Sequence, residues 1–344
     1  MRDVFFIPPL NKMSGGLANI YDLALALAEA GREVTLCHMD QGAPGLEDMA
    51  RRGLALDEWN NCTLEKGDIW CIPEGWPNVI AKGVDAGARS VVYAQNWAYL
   101  TGVLPDGVRW KELPVEFIAV SEPVAWFMRQ VLDVRVNKVL PPVVRECFFR
   151  PDQCRGERRE KRIKVAWMPR KNSALARQIQ LVSLEILRQN SGPGYLEWVE
   201  LQNMEQEEVA EKLASCDIFL MTSMAEGFGL PPVEAMASGC VPVGFAGLGG
   251  WEYMRSSPLS PCHEQVVASL PPGLALAEKT WGPNGFYAPE GDVVSASLAL
   301  ASAIKLALRG GPDWLALQDE GRKTAAAYSR KALAKRLALL WNWS

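Results

Sequence analysis

Ile218-Phe219-Leu220-Met221 is apolar at every position and runs directly into Thr222-Ser223-Met224-Ala225-Glu226-Gly227-Phe228-Gly229 and then Leu230-Pro231-Pro232. A short run without polar alternation, bounded by turn residues, is what a strand buried on both faces needs. Pro231 and Pro232 suit the first turn of a helix, where a missing N–H costs nothing, and Gly239 suits its left-handed end. The unit predicted is therefore strand, glycine loop, helix. Gly227 and Gly229 let the backbone come close to a ligand, and a helix start favours an anion such as a diphosphate. Glu226 and Glu234 then project toward the crevice beyond the strand's carboxyl end, where open α/β sheets bind ligands. Carboxylates accept hydrogen bonds from hydroxyls, so an anion site beside two of them fits a sugar attached to a phosphate.

The run from Glu226 to Glu234, with Gly-Phe-Gly-Leu-Pro inside it, is followed by Ala235-Met236-Ala237-Ser238-Gly239 and Val241-Pro242-Val243. Together these resemble the donor-site signature of retaining nucleotide-sugar glycosyltransferases, most closely family 4 (glycosyl transferases group 1). A capping glutamate explains Glu234 alone; it accounts for neither Glu226 nor Gly-Phe-Gly. The resemblance implies an α/β GT-B fold, with two Rossmann-like βαβ domains facing each other across a cleft. It also implies donor contacts at Gly227, Phe228, Gly229 and Leu230, ribose hydroxyls on Glu234, and the transferred sugar on Glu226.

Other bounds are consistent with that reading. At 344 residues and 49% hydrophobic, the chain is longer than one average domain, and two are expected. A net charge of −4 gives no support to nucleic-acid binding through a globally basic surface. The eight cysteines are scattered without C-x-x-C or zinc spacing, which predicts buried free thiols in a reducing cytosol. His38 and His263, the only histidines, carry no ligand pattern. Neither a secretory signal nor an apolar run of bilayer length is seen, so a cytoplasmic protein is expected, at most peripheral to a membrane.

The first half alternates strand-like and helix-like runs: Val4 to Ile7, a helix from Leu17 to Ala30, Glu33 to Cys37, then strands at Asp68 to Ile72, Ser90 to Tyr93 and Phe117 to Val120. Repeated βα units imply a parallel sheet covered on both faces. The loop before the first helix holds Gly15 and Gly16. It lacks the G-x-G-x-x-G and lysine-bearing phosphate motifs, which removes the main support for dehydrogenase or NTPase activity. In the resembling family a Gly-Gly loop here lies near the donor phosphates and the acceptor. Gln95-Asn96-Trp97, after the Val91-Val92-Tyr93 strand, offers amides for hydroxyls and a ring for a sugar face, and stands as the acceptor-side candidate. Where many relatives place a histidine or another polar group, this chain has Gln95. A core-covering role for Trp97 and Tyr99 explains the same residues equally well.

Ser121 reads as a helix cap. The boundary is expected near Arg150, giving an acceptor-side domain over 1–150, a donor domain over 151–325, and a tail helix over 326–344 that packs back on the first domain. The charged run Arg155 to Lys164 reads as a solvated linker, with anionic membrane as its competing partner. Ile163 to Trp167 predicts a strand ending in Met168-Pro169-Arg170-Lys171, followed by a helix over Leu175 to Arg188. Relatives place an arginine and a lysine some residues apart after this strand, on the donor diphosphate. Here Arg170 and Lys171 are adjacent, and Arg177 is the alternative second cation. The loop Gly247-Leu248-Gly249-Gly250 is explained by turn geometry. Asp292 reads as the cap of a helix over Val293 to Leu308. In the tail, Leu333, Leu337 and Leu340 share one face, which fits docking better than membrane anchoring.

With no D-x-D motif, a donor-bound metal is not expected, and no cofactor beyond the nucleotide sugar is implied. The activity implied is retaining transfer from a nucleotide sugar to a glycan, lipid-linked or small-molecule acceptor, in polysaccharide or glycoconjugate assembly. Glu226, Arg170 and Lys171 are its catalytic candidates. A sugar-nucleotide epimerase of the same architecture and a non-catalytic nucleotide-sugar binder are the alternatives.

Overall fold

A computed structural model describes residues 1–136, 138–149, 162–190, 196–274 and 281–341. The expected boundary at Arg150, the run 155–161, Cys154 and Trp343 lie outside these residues, as does the side chain of Leu340. The chain divides into two units, one formed by Met1–Val143 with Arg330–Ser344 and the other by Val144–Ser329.

The first unit contains β1 (Asp3–Ile7), α1 (Gly15–Glu29), β2 (Val34–His38), α2 (Leu46–Arg51), β3 (Ala55–Glu58), β4 (Ile69–Pro73), α3 (Ile80–Asp85), β5 (Arg89–Ala94), β6 (Glu116–Ala119), α4 (Glu122–Val131) and β7 (Lys138–Val139). Its parallel sheet runs β3-β2-β1-β4-β5-β6-β7. Phe5 of β1 lies opposite Leu36 of β2 and Cys71 of β4, so strand order reverses between β1 and β4. That reversal opens a crevice at the carboxyl edge. Every residue of β1 is buried, as an apolar run between helical layers must be. Sequence patterning misses α2 and β3. The β3 segment, Ala-Leu-Asp-Glu, is polar and partly exposed because it is the sheet's edge and pairs only with β2. Helix α1 begins two residues earlier than its apolar spacing suggests, because Ser14 Oγ accepts the Leu17 N–H at 3.1 Å. Ser121 caps α4 in the same way, accepting from Val124 N at 3.2 Å.

The second unit contains β8 (Ile163–Trp167), α5 (Ser173–Asn190), β9 (Leu196–Glu200), α6 (Gln206–Ala214), β10 (Ile218–Met221), α7 (Leu230–Ala237), β11 (Val241–Ala246), α8 (His263–Ala268), β12 (Phe286–Pro289), α9 (Val293–Arg309) and α10 (Pro312–Ala326). Its parallel sheet is ordered β12-β11-β10-β8-β9, and the reversal falls between β8 and β10. The loops after those two strands, Met168–Lys171 and Thr222–Gly229, thus share one crevice edge. Helix α9, capped by Asp292 Oδ1 on Ser295 N at 2.9 Å, buries alanines against the sheet and lies beside α5. Small residues allow that close approach: Ser183 Oγ of α5 donates to Ile179 O at 2.6 Å and meets Ser297 O of α9 at 3.2 Å.

The chain then returns to the first unit as α11 (Arg330–Leu340). Arg330 pairs with Glu29 at 2.6 Å, Trp341 Nε1 donates to Asp3 Oδ1 at 3.0 Å, and Leu333 and Leu337 are buried. The seven described cysteines are free thiols, all buried except the half-buried Cys147. Among the described residues no single helix is long and apolar enough to cross a membrane.

Candidate functional site

In the second unit, the loop from Thr222 to Gly229 is held from several sides. Asn172, itself at φ 60°, donates its side-chain N–H to Thr222 O at 2.7 Å, and the Thr222 hydroxyl donates to Lys171 O. Ala225 sits at φ 54°, a costly conformation for a residue with a side chain, and its N–H donates to Glu290 Oε1 at 2.7 Å. Gly229, at φ 82°, precedes α7, and its carbonyl accepts the Tyr253 hydroxyl at 2.6 Å. The Phe228 ring turns inward and packs 5.1 Å from Tyr253 and 5.0 Å from Tyr328. Phe228 therefore leaves its backbone, not its ring, to a ligand. Gly249 lies against this loop: a Cβ there would stand 2.3 Å from Glu226 O and 2.4 Å from Gly227 C. What the sequence explains as turn geometry is close backbone packing beneath the loop.

The charges converge where the two strands part. Lys171 Nζ and Glu226 Oε1 form an ion pair at 2.5 Å, each side chain about a third exposed. Arg170 is exposed, and so is Arg177 in α5. Glu234 is buried at 8% exposure, and among the described residues its carboxylate makes no hydrogen bond. Burial pushes its carboxyl up to about 7, against the pull of Arg145 and Arg170. A buried carboxylate without donors is a receptor for hydroxyl groups. The start of α7 offers fewer N–H donors than an ordinary helix start, since Pro231 and Pro232 have none. Arg145, Tyr253 and Glu290 escape sequence reasoning because each lies far along the chain from the loop it serves.

In the first unit, Gly15 and Gly16 open α1, and Gln95, Asn96 and Trp97 follow β5. Asn96 is absorbed structurally: its Oδ1 accepts from Ala98 N at 2.9 Å and caps a short turn. The Trp97 ring lies 5.4 Å from Phe127, while Tyr99 is 63% exposed. Gln95 is half-buried beside Gly16. Sequence reasoning also misses Glu74, a buried carboxyl just after β4 whose Oε1 accepts from Asn96 N at 2.7 Å. Burial pushes it up to about 7, although backbone N–H groups of Gln95, Glu74 and Asn96 pull it down. Among the described residues no group of three His, Cys, Asp or Glu side chains is placed to hold a metal ion.

Glu74 and Glu234 make stability depend on pH. Both are raised in the folded state from 4.5 to about 7, so the folded chain holds these protons more tightly than the unfolded one. Their favourable contribution is full below pH 4.5 and is lost as pH rises to 7, at about 3 kcal/mol each as an upper bound. Glu234→Gln is expected to melt as wild type does near pH 4.5, but several degrees higher at pH 8. Melting curves across that range check it, and an unchanged gap between variant and wild type at both ends would refute it.

Residues 199–256 match the family model described as Glycosyl transferases group 1. They run from the end of β9 through the Glu226 loop, α7 and β11 to Ser256, so the match falls on the site. A curated alpha-1,6-glucosyltransferase of Actinobacillus pleuropneumoniae serotype 7 (strain AP76) is 26% identical over 185 residues, covering 52% of this chain and 53% of that protein. The chain thus spans about half the length of the curated relative it matches. A solved glycosyltransferase from Rickettsia africae ESF-5 matches with a TM-score of 0.66 at 12% identity over 99% of both chains. The chain has the GT-B fold. The catalytic domain of starch synthase IV from Arabidopsis thaliana, bound to ADP and acarbose, shares it at a TM-score of 0.57 and 13% identity, over 97% of this chain and 98% of that one. Within this GT-B chain, the unit of Val144–Ser329 holds the ion pair and the buried glutamate, both at the switch point of its sheet.

Proposed function

We propose that the chain is a retaining glycosyltransferase that moves a sugar from a nucleoside-diphosphate donor to a carbohydrate-bearing acceptor without a metal ion. The observation that carries this reading is Glu234, a buried carboxylate that makes no hydrogen bond among the described residues, in the same unit as the Lys171–Glu226 pair at the sheet's switch point. The ribose hydroxyls satisfy Glu234. Lys171, with Arg170, neutralises the diphosphate and so releases Glu226 to the hydroxyls of the transferred sugar. In the reaction the bond from the anomeric carbon to the phosphate oxygen breaks, and the electron pair leaves with the nucleoside diphosphate. A bond to the acceptor oxygen forms on the same face, and the acceptor's proton goes to the departing phosphate. Fixed positive charge at the leaving group does the stabilising. The setting is the cytoplasm, in the assembly of a glycan or glycoconjugate, with the acceptor free or held at a membrane surface.

A thermal-shift and turnover screen of UDP-, GDP-, TDP- and ADP-sugars, with and without EDTA, tests the proposal. Stabilisation by one nucleotide series and release of its diphosphate, both unaffected by chelator, are expected. No shift with any series, or activity abolished by chelator, overturns it.

The buried glutamate adds a second signature. Hydroxyls donating to Glu234 favour its ionised form, so donor binding below pH 7 should expel a proton, and affinity should rise as pH approaches 7. Calorimetric titration in buffers of different ionisation enthalpy measures that proton. Its persistence in Glu234→Gln would remove Glu234 from the donor site.

A further inference from the structure

The carboxyl edge of the first sheet holds a polar relay whose direction is fixed at its inner end. The carbonyl of Leu140 can only accept, and the buried Tyr93 hydroxyl donates to it at 2.6 Å. The Tyr93 oxygen is then left to accept, and it does so from Asn19 Nδ2 at 2.8 Å. Asn19, 5% exposed, must therefore turn its NH2 toward this pair, and the same nitrogen donates to Gln95 Oε1 at 2.8 Å. With its oxygen turned inward to Asn19, Gln95 directs its NH2 away from the relay. The sequence position of the relay is equally fixed, because Glu74 accepts backbone N–H groups of Gln95 and Asn96. Gly16 leaves the amide uncovered: a Cβ there would lie 3.5 Å from Gln95 Nε2.

We infer that Asn19 is a positioning residue that sets the polarity of Gln95, making the Gln95 NH2 a fixed hydrogen-bond donor to an oxygen of the bound substrate. The assignment of that oxygen rests on the proposed transferase reading: it belongs to an acceptor hydroxyl or to a donor phosphate. A relay built on an obligate acceptor cannot reverse without breaking a buried hydrogen bond, so the site discriminates against a group that must itself donate. Asn19→Asp inverts it. An ionised Asp cannot donate to Tyr93 or to Gln95 Oε1, so above its titration the Gln95 amide turns its NH2 inward and its oxygen outward.

The orientation is read without turnover, by solvent exchange of side-chain NH2 groups in the full chain labelled with 15N-asparagine and 15N-glutamine. In wild type the Asn19 NH2 is expected to be protected and the Gln95 NH2 to exchange freely; in Asn19→Asp the Gln95 NH2 becomes protected. Protection of the Gln95 NH2 in wild type overturns the inference, whatever the activity. Kinetics with UDP-glucose or ADP-glucose and methyl α-D-glucopyranoside then identify the oxygen. About a tenfold rise in KM for the glucoside alone, with kcat within about threefold, assigns the acceptor hydroxyl; the same rise for the nucleotide sugar alone assigns the phosphate. Gln95→Glu, on a half-exposed loop, keeps the bond from Asn19 and removes the outward donor, so it should show the same KM rise even if Asn19→Asp fails to fold. Wild-type KM values for both substrates in Gln95→Glu overturn the inference. Absence of turnover in wild type with every nucleotide-sugar series of the screen refutes the transferase reading and leaves the exchange result to decide the polarity of Gln95.

Discussion

Lys171→Ala should lower kcat by about 10²–10³-fold, the usual cost of removing one preorganised group that stabilises developing negative charge. The residue follows β8 at the sheet reversal, and its ammonium rests on Glu226. In the proposed reaction that charge passes to the departing diphosphate. Glu226→Ala should cut kcat to a similar extent, with donor affinity changed far less, because the proposed reaction sets Glu226 against the transferred sugar and not the nucleotide. The double variant should be no worse than about tenfold below either single one, since residues that act as a unit are not additive. Single-turnover rates and donor Kd for the three variants check this. Simple multiplication of the two losses would show that the pair does not work as a unit, and wild-type kcat in Lys171→Ala would remove it from the chemistry.

Gly249→Ala is the second substitution of large effect, although Gly249 is outside the glutamate loop. Its added methyl would meet the backbone at Glu226 and Gly227, not the movable end of a side chain. The loop has little freedom to yield, because Glu290 holds Ala225 and Tyr253 holds Gly229. Overpacking of this kind costs about 1–3 kcal/mol, and a displacement of about 1 Å at reacting groups costs on the order of 100-fold in rate. Turnover should fall by at least that factor while the chain remains folded by circular dichroism. Gly75→Ala is the control: its φ is not positive and nothing lies within 4 Å of the added Cβ, so it should melt as wild type does. Near-normal turnover in Gly249→Ala would mean that the loop is more pliant than these hydrogen bonds suggest.

These two substitutions mark what the sequence makes legible. Apolar runs such as Ile218–Met221 and Val4–Ile7 reveal their strands because a parallel strand buried on both faces leaves little room for polar side chains, whereas β3 is hidden by the polar, half-solvated character of an edge. The Glu226–Glu234 stretch is visible because its spacing is local. Its supports are invisible for the opposite reason: Tyr253, Glu290, Arg145 and Gly249 reach the loop through folding, at separations no periodicity encodes. Gln95 shows the same limit, since a residue type can be read from the chain but the polarity of its amide is imposed by a carbonyl at Leu140.

The return of α11 to the first unit has a temporal consequence. The unit of Val144–Ser329 is one unbroken segment, but the unit that begins the chain is completed only by residues that follow Ser329. At about 5–20 residues per second, the ribosome needs roughly 10–40 s to make the segment in between. For that interval Asp3 lacks Trp341, Glu29 lacks Arg330, and the seat of Leu333 and Leu337 stands open to solvent. The first unit to emerge is thus the last to be finished. Ribosome-bound chains halted before residue 330 should display that apolar seat to chaperones, and emergence of α11 should withdraw it.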